Sequence, residues 1–79
     1  MAKTFHSSYY ERYFSRSEVE RAVDSYEEYC SKNRLESEVS SEGMDPMDVL
    51  DIEAEAGGDD LLSHVLYHAI EIEGLSLDA

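Results

Sequence analysis

The sequence has few of the residues and segments that crosslink, anchor or export a protein. Its 79 residues include one cysteine, Cys30, one proline and no tryptophan. A lone cysteine forms no internal disulfide, which is typical of a reducing compartment. The polar, aromatic N-terminus is unlike a signal peptide, and no run approaches the roughly 20 apolar residues of a membrane span. We therefore expect a single soluble, cytoplasmic domain over residues 1–79.

Motifs for catalysis and metal binding are also missing. There is no nucleophile elbow, no glycine-rich phosphate loop and no Cys–His arrangement at a readable spacing. Calcium-loop frames that start at Glu53 or Asp51 both lack the glutamate required at the twelfth position. His64, His68 and Glu71 follow helical spacing, but without a further ligand they indicate half-buried histidines rather than a metal site. We expect no enzymatic activity, no metal and no cofactor.

Positive charge is absent from the second half of the chain. The formal net charge is −13, and no Lys or Arg follows Arg34. Residues 1–34 hold six basic and six acidic side chains, whereas residues 35–79 hold thirteen acidic ones. A charge needed only for solubility would not require this segregation. The acidity also argues against direct binding of nucleic acid or of an anionic membrane.

Acidic residues are most frequent between residues 36 and 60. Carboxylates three or four residues apart on a helix repeat at spacings comparable to successive phosphates. We predict that this segment occupies the basic nucleic-acid-binding surface of a partner protein, although a merely solvated surface is the competing interpretation. The predicted partner-binding residues are Glu36, Glu38, Glu42, Asp45, Asp48, Asp51, Glu53, Glu55, Asp59 and Asp60.

Helix start signals recur along the chain. Ser17 and Glu20 predict a capping box that opens a helix over residues 17–34. Asp45, followed by proline, predicts the start of a second helix. Asp59 or Asp60 is expected to cap a third helix, which a glycine at position 74 would end.

The N-terminal segment is aromatic. Tyr10, Tyr13 and Phe14 share one face at helical spacing, which predicts a short helix over residues 8–14. The fold expected from these signals is all-α, a small bundle of three main helices plus this short N-terminal helix. The alternative is an α+β fold with short strands near residues 35–40 and 70–77.

An alternative function starts from the same aromatic segment. Tyr9, Tyr10 and Tyr13 suit an interface that is partly apolar and partly wet. They predict a helical protein–protein interaction module, an adaptor or an antitoxin-like partner, that binds through its Tyr-rich N-terminal face.

Taken together, the chain resembles the small acidic anti-defence proteins of phages and plasmids, the DNA-mimic antirestriction and anti-CRISPR proteins. The likeness lies in the short length, the extreme acidity, the helical pattern, the lone cysteine and the lack of a catalytic motif. It includes no shared motif, so it assigns no residue a role. The resemblance implies a stoichiometric inhibitor of a nucleic-acid-binding protein in the cytoplasm of a host cell.

Overall fold

The chain folds as a β-hairpin followed by three helices. The structure, a computed structural model, describes residues 4–40 and 43–77. The elements are β1 Thr4–Ser7, β2 Arg12–Ser15, α1 Arg16–Lys32, α2 Pro46–Glu55 and α3 Asp60–Tyr67, which continues as a π-helical turn, His68–Ile72. The fold is mixed α+β, so the predicted all-α bundle is wrong. The alternative named this class but expected strands at residues 35–40 and 70–77, where the described residues form none.

The aromatic N-terminus forms the hairpin instead of the predicted short helix. Phe5 pairs with Phe14 across the two antiparallel strands, and both side chains are buried, whereas Tyr13 faces solvent. This in–out alternation has the two-residue period of a strand. Glu11, at the end of the turn, adopts a left-handed backbone conformation with φ 53°. The helical spacing of the rings is coincidental, because the neighbours Tyr13 and Phe14 lie on opposite faces of the sheet.

Helix α1 begins slightly earlier than predicted. The Oγ of Ser15 accepts from the N–H of Glu18 at 3.2 Å, and the Oε1 of Glu18 accepts from the N–H of Ser15 at 2.8 Å. The capping box therefore uses this pair and not Ser17 and Glu20, because β2 ends at Ser15 and leads directly into the helix. One stripe of the helix is buried, formed by Val19, Ala22, Val23, Tyr26 and Cys30.

The start of α2 agrees with the prediction. The start of α3 lies where it was predicted, but the predicted residue does not cap it. Asp45 caps α2 by accepting from the N–H of Met47 at 2.8 Å. Asp59 occupies the N-cap position of α3, but its side chain makes no capping hydrogen bond. Its carboxylate instead accepts from the N–H of Ser8 in the hairpin turn. Glu53, which projects from α2, takes over the capping of α3.

The C-terminal segment folds back onto the helices. Gly74 ends the helical region with φ 72°, a conformation that favours glycine. The N–H of Leu75 then donates to the carbonyl of Ala69 at 2.8 Å. Leu77 is buried, and the carbonyl of Ser76 accepts from the Arg21 guanidinium at 2.9 Å.

The hydrophobic core lies between the hairpin, α1 and α3. Tyr26 and Val39 belong to it, and the Tyr26 hydroxyl accepts from the N–H of Glu38 at 3.1 Å. This bond holds the loop after α1 against the core. Cys30 is also buried and packs as a small hydrophobic residue. Within residues 4–40 and 43–77, no helix is both long enough and apolar enough to cross a membrane.

Candidate functional site

A groove between α1 and α2 collects carboxylates from both halves of the chain. Its volume is about 460 Å³. We call it the acidic groove, and its carboxylates belong to Glu20, Asp24, Glu27, Asp45 and Asp48. Arg16 is the single cationic residue in its lining. The groove therefore has a strong excess of negative charge.

The three α1 carboxylates lie at i, i+4 and i+7 on the helix, which places them along one side of it. Glu20 and Asp24 are exposed, and Glu27 is half-buried. Arg16 lies 3.5 Å from a carboxylate oxygen of Glu20 and 3.5 Å from one of Asp51. These ion pairs engage the only lining cation, so most of the groove's carboxylates remain uncompensated.

The predicted acidic residues are spread over several places in the fold. Asp48 and Asp45 line the acidic groove, and Asp45 also caps α2. Three others make contacts that hold the fold together: Asp51 pairs with an arginine, Glu53 caps α3, and Asp59 binds the hairpin turn.

The remaining predicted residues do not form one surface with the groove. Glu55 and Asp60 are exposed and lie outside its lining. Glu36 and Glu38 lie on the loop after α1, where they line a separate pocket beside α3. Glu42 lies outside the described residues.

Sequence reasoning missed Glu20, Asp24 and Glu27. It treated residues 1–34 as neutral because acidic and basic side chains balance there. These acidic and basic side chains are equal in number but lie in different places. Arg21 binds the C-terminal segment, and Lys32 pairs with Glu28 at 3.1 Å. The helical spacing of the three acids was the signal that could have identified them.

The predicted tyrosines fall into two groups. Tyr9 and Tyr13 are 63% and 68% exposed, but Tyr13 contacts His6 in a tilted arrangement, with ring centroids 4.7 Å apart. Tyr9 instead contacts Tyr67 of α3 edge-to-face at 6.0 Å. Tyr10 is half-buried beside Tyr9. The hairpin thus presents two separate aromatic contacts and not one face.

Tyr10 also makes a hydrogen bond that links the hairpin to the C-terminal helical turn. Its hydroxyl donates to the Glu71 carboxylate at 3.2 Å. Burial, together with the negative charge of Glu71, raises the pKa of Tyr10 to about 12. Glu71 is therefore engaged with the hairpin rather than with the histidines of its own helix.

His64 and His68 lie side by side on the helix, with ring centroids 4.7 Å apart. The part of the chain that the structure describes contains no group of three or more His, Cys, Asp or Glu side chains arranged to hold a metal ion. His64 Nε2 lies 3.4 Å from a carboxylate oxygen of Glu38. Burial, and secondarily the neighbouring His64, lowers the pKa of His68 below its ordinary range.

Comparison with known proteins returned no matching family model, no matching curated protein and no matching solved structure. No residue role is therefore taken from a relative. The contacts, burial and charge of this chain have to support any functional assignment.

Proposed function

We propose that the protein is a stoichiometric, non-catalytic inhibitor that occupies the basic nucleic-acid-binding surface of a partner protein. The observation that supports this function best is the acidic groove, in which five carboxylates from α1, α2 and the N-cap of α2 accompany one arginine. The partner is a nucleic-acid-binding protein, and the inhibitor binds no nucleic acid or membrane itself.

The spacing of the groove carboxylates supports mimicry. On α1, separations of four and three residues correspond to about 6 Å and about 4.5 Å along the helix axis. Phosphates of a DNA strand recur at a similar scale, about 3.4 Å along the duplex axis. A partner that aligns Lys and Arg side chains with phosphates can therefore align them with such a row.

The rigidity of the row also favours binding. The adjacent stripe of α1, which includes Val19, Val23 and Tyr26, is buried in the core, and Val23 also lines the groove. The helix is therefore held in place before a partner arrives, and less conformational entropy is lost on association. The excess negative charge of the groove would steer a basic partner and raise its association rate.

The experiment that tests this function is affinity capture from a nuclease-treated lysate of the source cell. The groove variant carries Glu20→Gln, Asp24→Asn, Glu27→Gln and Asp48→Asn. The control variant has the same net charge and carries Glu11→Gln, Glu55→Gln, Asp60→Asn and Glu73→Gln, all at exposed positions outside the groove. Both retain Asp45, whose side chain caps α2.

We expect the wild type and the control variant to capture the same nucleic-acid-binding protein, and the groove variant to lose it. Added duplex DNA or RNA should displace the captured protein, and rising salt should weaken the complex because exposed charge pairs are screened. Equal capture by the groove and control variants would contradict the proposal.

A second candidate function is a protein–protein interaction module that binds through the hairpin. The exposure of Tyr9 and Tyr13 favours it, because large aromatic side chains left in solvent are enriched at interfaces. Tyr9→Ala combined with Tyr13→Ala should abolish capture if this function is correct, whereas the groove variant should bind normally. Tyr10 is kept unchanged because its hydroxyl bonds to Glu71.

A further inference from the structure

A second concave site lies on the other side of α1, between that helix, α3 and the loop that joins α1 to α2. Its volume is about 250 Å³. We call it the His–Tyr pocket and define it by Tyr26, Tyr29, His64, His68, Glu36 and Glu38. It shares no lining residue with the acidic groove.

The rings of this pocket are packed against each other at steep angles. Tyr26 meets both histidines at a centroid distance of 5.3 Å, with interplanar angles of 81° to His64 and 64° to His68. Tyr29 meets His68 at 5.1 Å. Contacts on several sides restrict the movement of each ring, so the pocket wall is formed before a ligand binds.

The pocket also has two carboxylates on one side. Glu36 is exposed and makes no ion pair with any residue of the described ranges. Glu38 is positioned by its backbone N–H, which donates to the Tyr26 hydroxyl, and by the burial of the next residue, Val39. Its carboxylate reaches His64 at 3.4 Å, a contact that is an ion pair only when the imidazole is protonated.

Aromatic rings beside exposed carboxylates select for a cation that is both planar and weakly hydrated. A guanidinium stacks on aromatic faces and donates to carboxylates in a fixed fork, whereas an ammonium is a strongly hydrated point charge. We propose that the His–Tyr pocket binds an arginine side chain of the partner, stacked against Tyr29 and the histidines and bonded to Glu36 or Glu38. The proposal rests on the proposed function for the basic character of that partner.

The charges that line the pocket favour a positively charged ligand. The lowered pKa of His68 keeps its imidazole neutral at neutral pH, so it does not repel a bound cation. The other titratable groups that line the pocket are the phenols of Tyr26 and Tyr29, the thiol of Cys30 and the imidazole of His64. The two carboxylates therefore dominate its charge.

Two capped tripeptides test the pocket directly, acetyl-Gly-Arg-Gly-amide and its citrulline counterpart. Citrulline has nearly the same shape, but a neutral urea replaces the guanidinium. Each is titrated into the wild-type protein while aromatic NMR signals are followed. We expect saturable shifts of the Tyr29, His64 and His68 rings with the arginine peptide. The citrulline peptide should bind about tenfold more weakly, which is the loss of affinity expected for one charge-assisted hydrogen bond.

Two variants of equal net charge separate the pocket from general attraction to an acidic protein. The pocket variant carries Glu36→Gln and Glu38→Gln, and the control carries Glu55→Gln and Asp60→Asn, all exposed positions. We expect the pocket variant to bind the arginine peptide about twofold to fivefold more weakly than the control, as exposed ion pairs allow.

Equal affinities of the two variants, or equal affinities of the two peptides, would overturn the arginine site. Because neither variant touches the acidic groove, that result would leave partner capture through the groove intact. Conversely, arginine binding in the pocket without capture of any basic partner would contradict the proposed function and not the pocket.

Discussion

Replacing Glu53 by alanine removes the carboxylate through which α2 caps the start of α3. Its Oε2 accepts from the N–H of Leu61 at 2.9 Å, and its Oε1 accepts from the N–H of Leu62 at 3.3 Å. Asp59 at the N-cap position makes no side-chain hydrogen bond to these groups. The substitution therefore leaves two partly buried N–H groups of a helix start without their acceptor.

The expected cost follows from the contacts that are lost. Removing a helix N-cap costs about 0.5–2 kcal/mol, and removing a hydrogen bond to a charged acceptor costs about 1.5–3 kcal/mol. These ranges describe the same contacts and do not add, so we expect Glu53→Ala to lower the free energy of unfolding by about 2 kcal/mol. In a domain of this size that corresponds to a Tm lower by about 8–16 °C. Glu53→Gln keeps one acceptor oxygen, so it should lower the free energy of unfolding by about half as much.

Thermal unfolding followed by far-ultraviolet circular dichroism measures this change. The matched control is Glu55→Ala, which removes the same charge from an exposed position on the same helix. We expect the control to stay within about 0.5 kcal/mol of the wild type. If Glu53→Ala were as stable as Glu55→Ala, the capping role of Glu53 would be refuted.

Three further predictions concern the hairpin and the helix that packs beside it. Phe14→Ala should lower the free energy of unfolding by about 3–5 kcal/mol because the ring is fully buried, whereas exposed Tyr13→Ala should change it by less than about 1 kcal/mol in urea denaturation. The lowered pKa of His68 makes the folded state bind fewer protons than the unfolded state, so stability should fall as pH decreases through the ordinary value of 6.5. When Tm is measured against pH, this fall should be smaller in His68→Gln. The raised pKa of Tyr10 has the opposite sign: stability should fall as pH rises from 10 towards about 12, and Tyr10→Phe should show a shallower fall in the same measurement.

The parts of the fold that were predictable from sequence are those set by local contacts. Asp45 and the following proline define the start of α2 because the cap bonds to an N–H two residues away. The hairpin has a weaker local signal, a bond at 3.3 Å in which the Oγ of Ser7 accepts from the N–H of Tyr10. Its turn, residues 8–11, contains no glycine, asparagine or proline, and Glu11 adopts its positive φ without the residue types that usually mark it. The strands are otherwise specified by the pairing of Phe5 with Phe14 and by side-chain contacts to the start of α3.

The negative charge of the candidate site was predictable from sequence, but the set of residues that forms it was not. An excess of carboxylates near residues 45–48 was visible from sequence, and the structure places that segment at the acidic groove. Which helix forms the other side of a groove depends on tertiary packing, so the contribution of α1 was hidden. The same limit explains Glu53 and Asp59, whose carboxylates accept from N–H groups on other elements.

The acidic residues now separate into those that the fold requires and those that it does not. Asp45, Glu53 and Asp59 accept hydrogen bonds from backbone N–H groups at turns and helix starts, so stability alone is a reason for their presence. Asp24 makes no such bond to the described chain, and the like charges around it in the acidic groove oppose compaction, whereas Asp48 also favours the helix dipole from the first turn of α2. A charge that destabilises the fold and serves no contact within it is better explained by a contact outside it. The groove residues, rather than the acidic segment as a whole, therefore support the proposal of a basic partner.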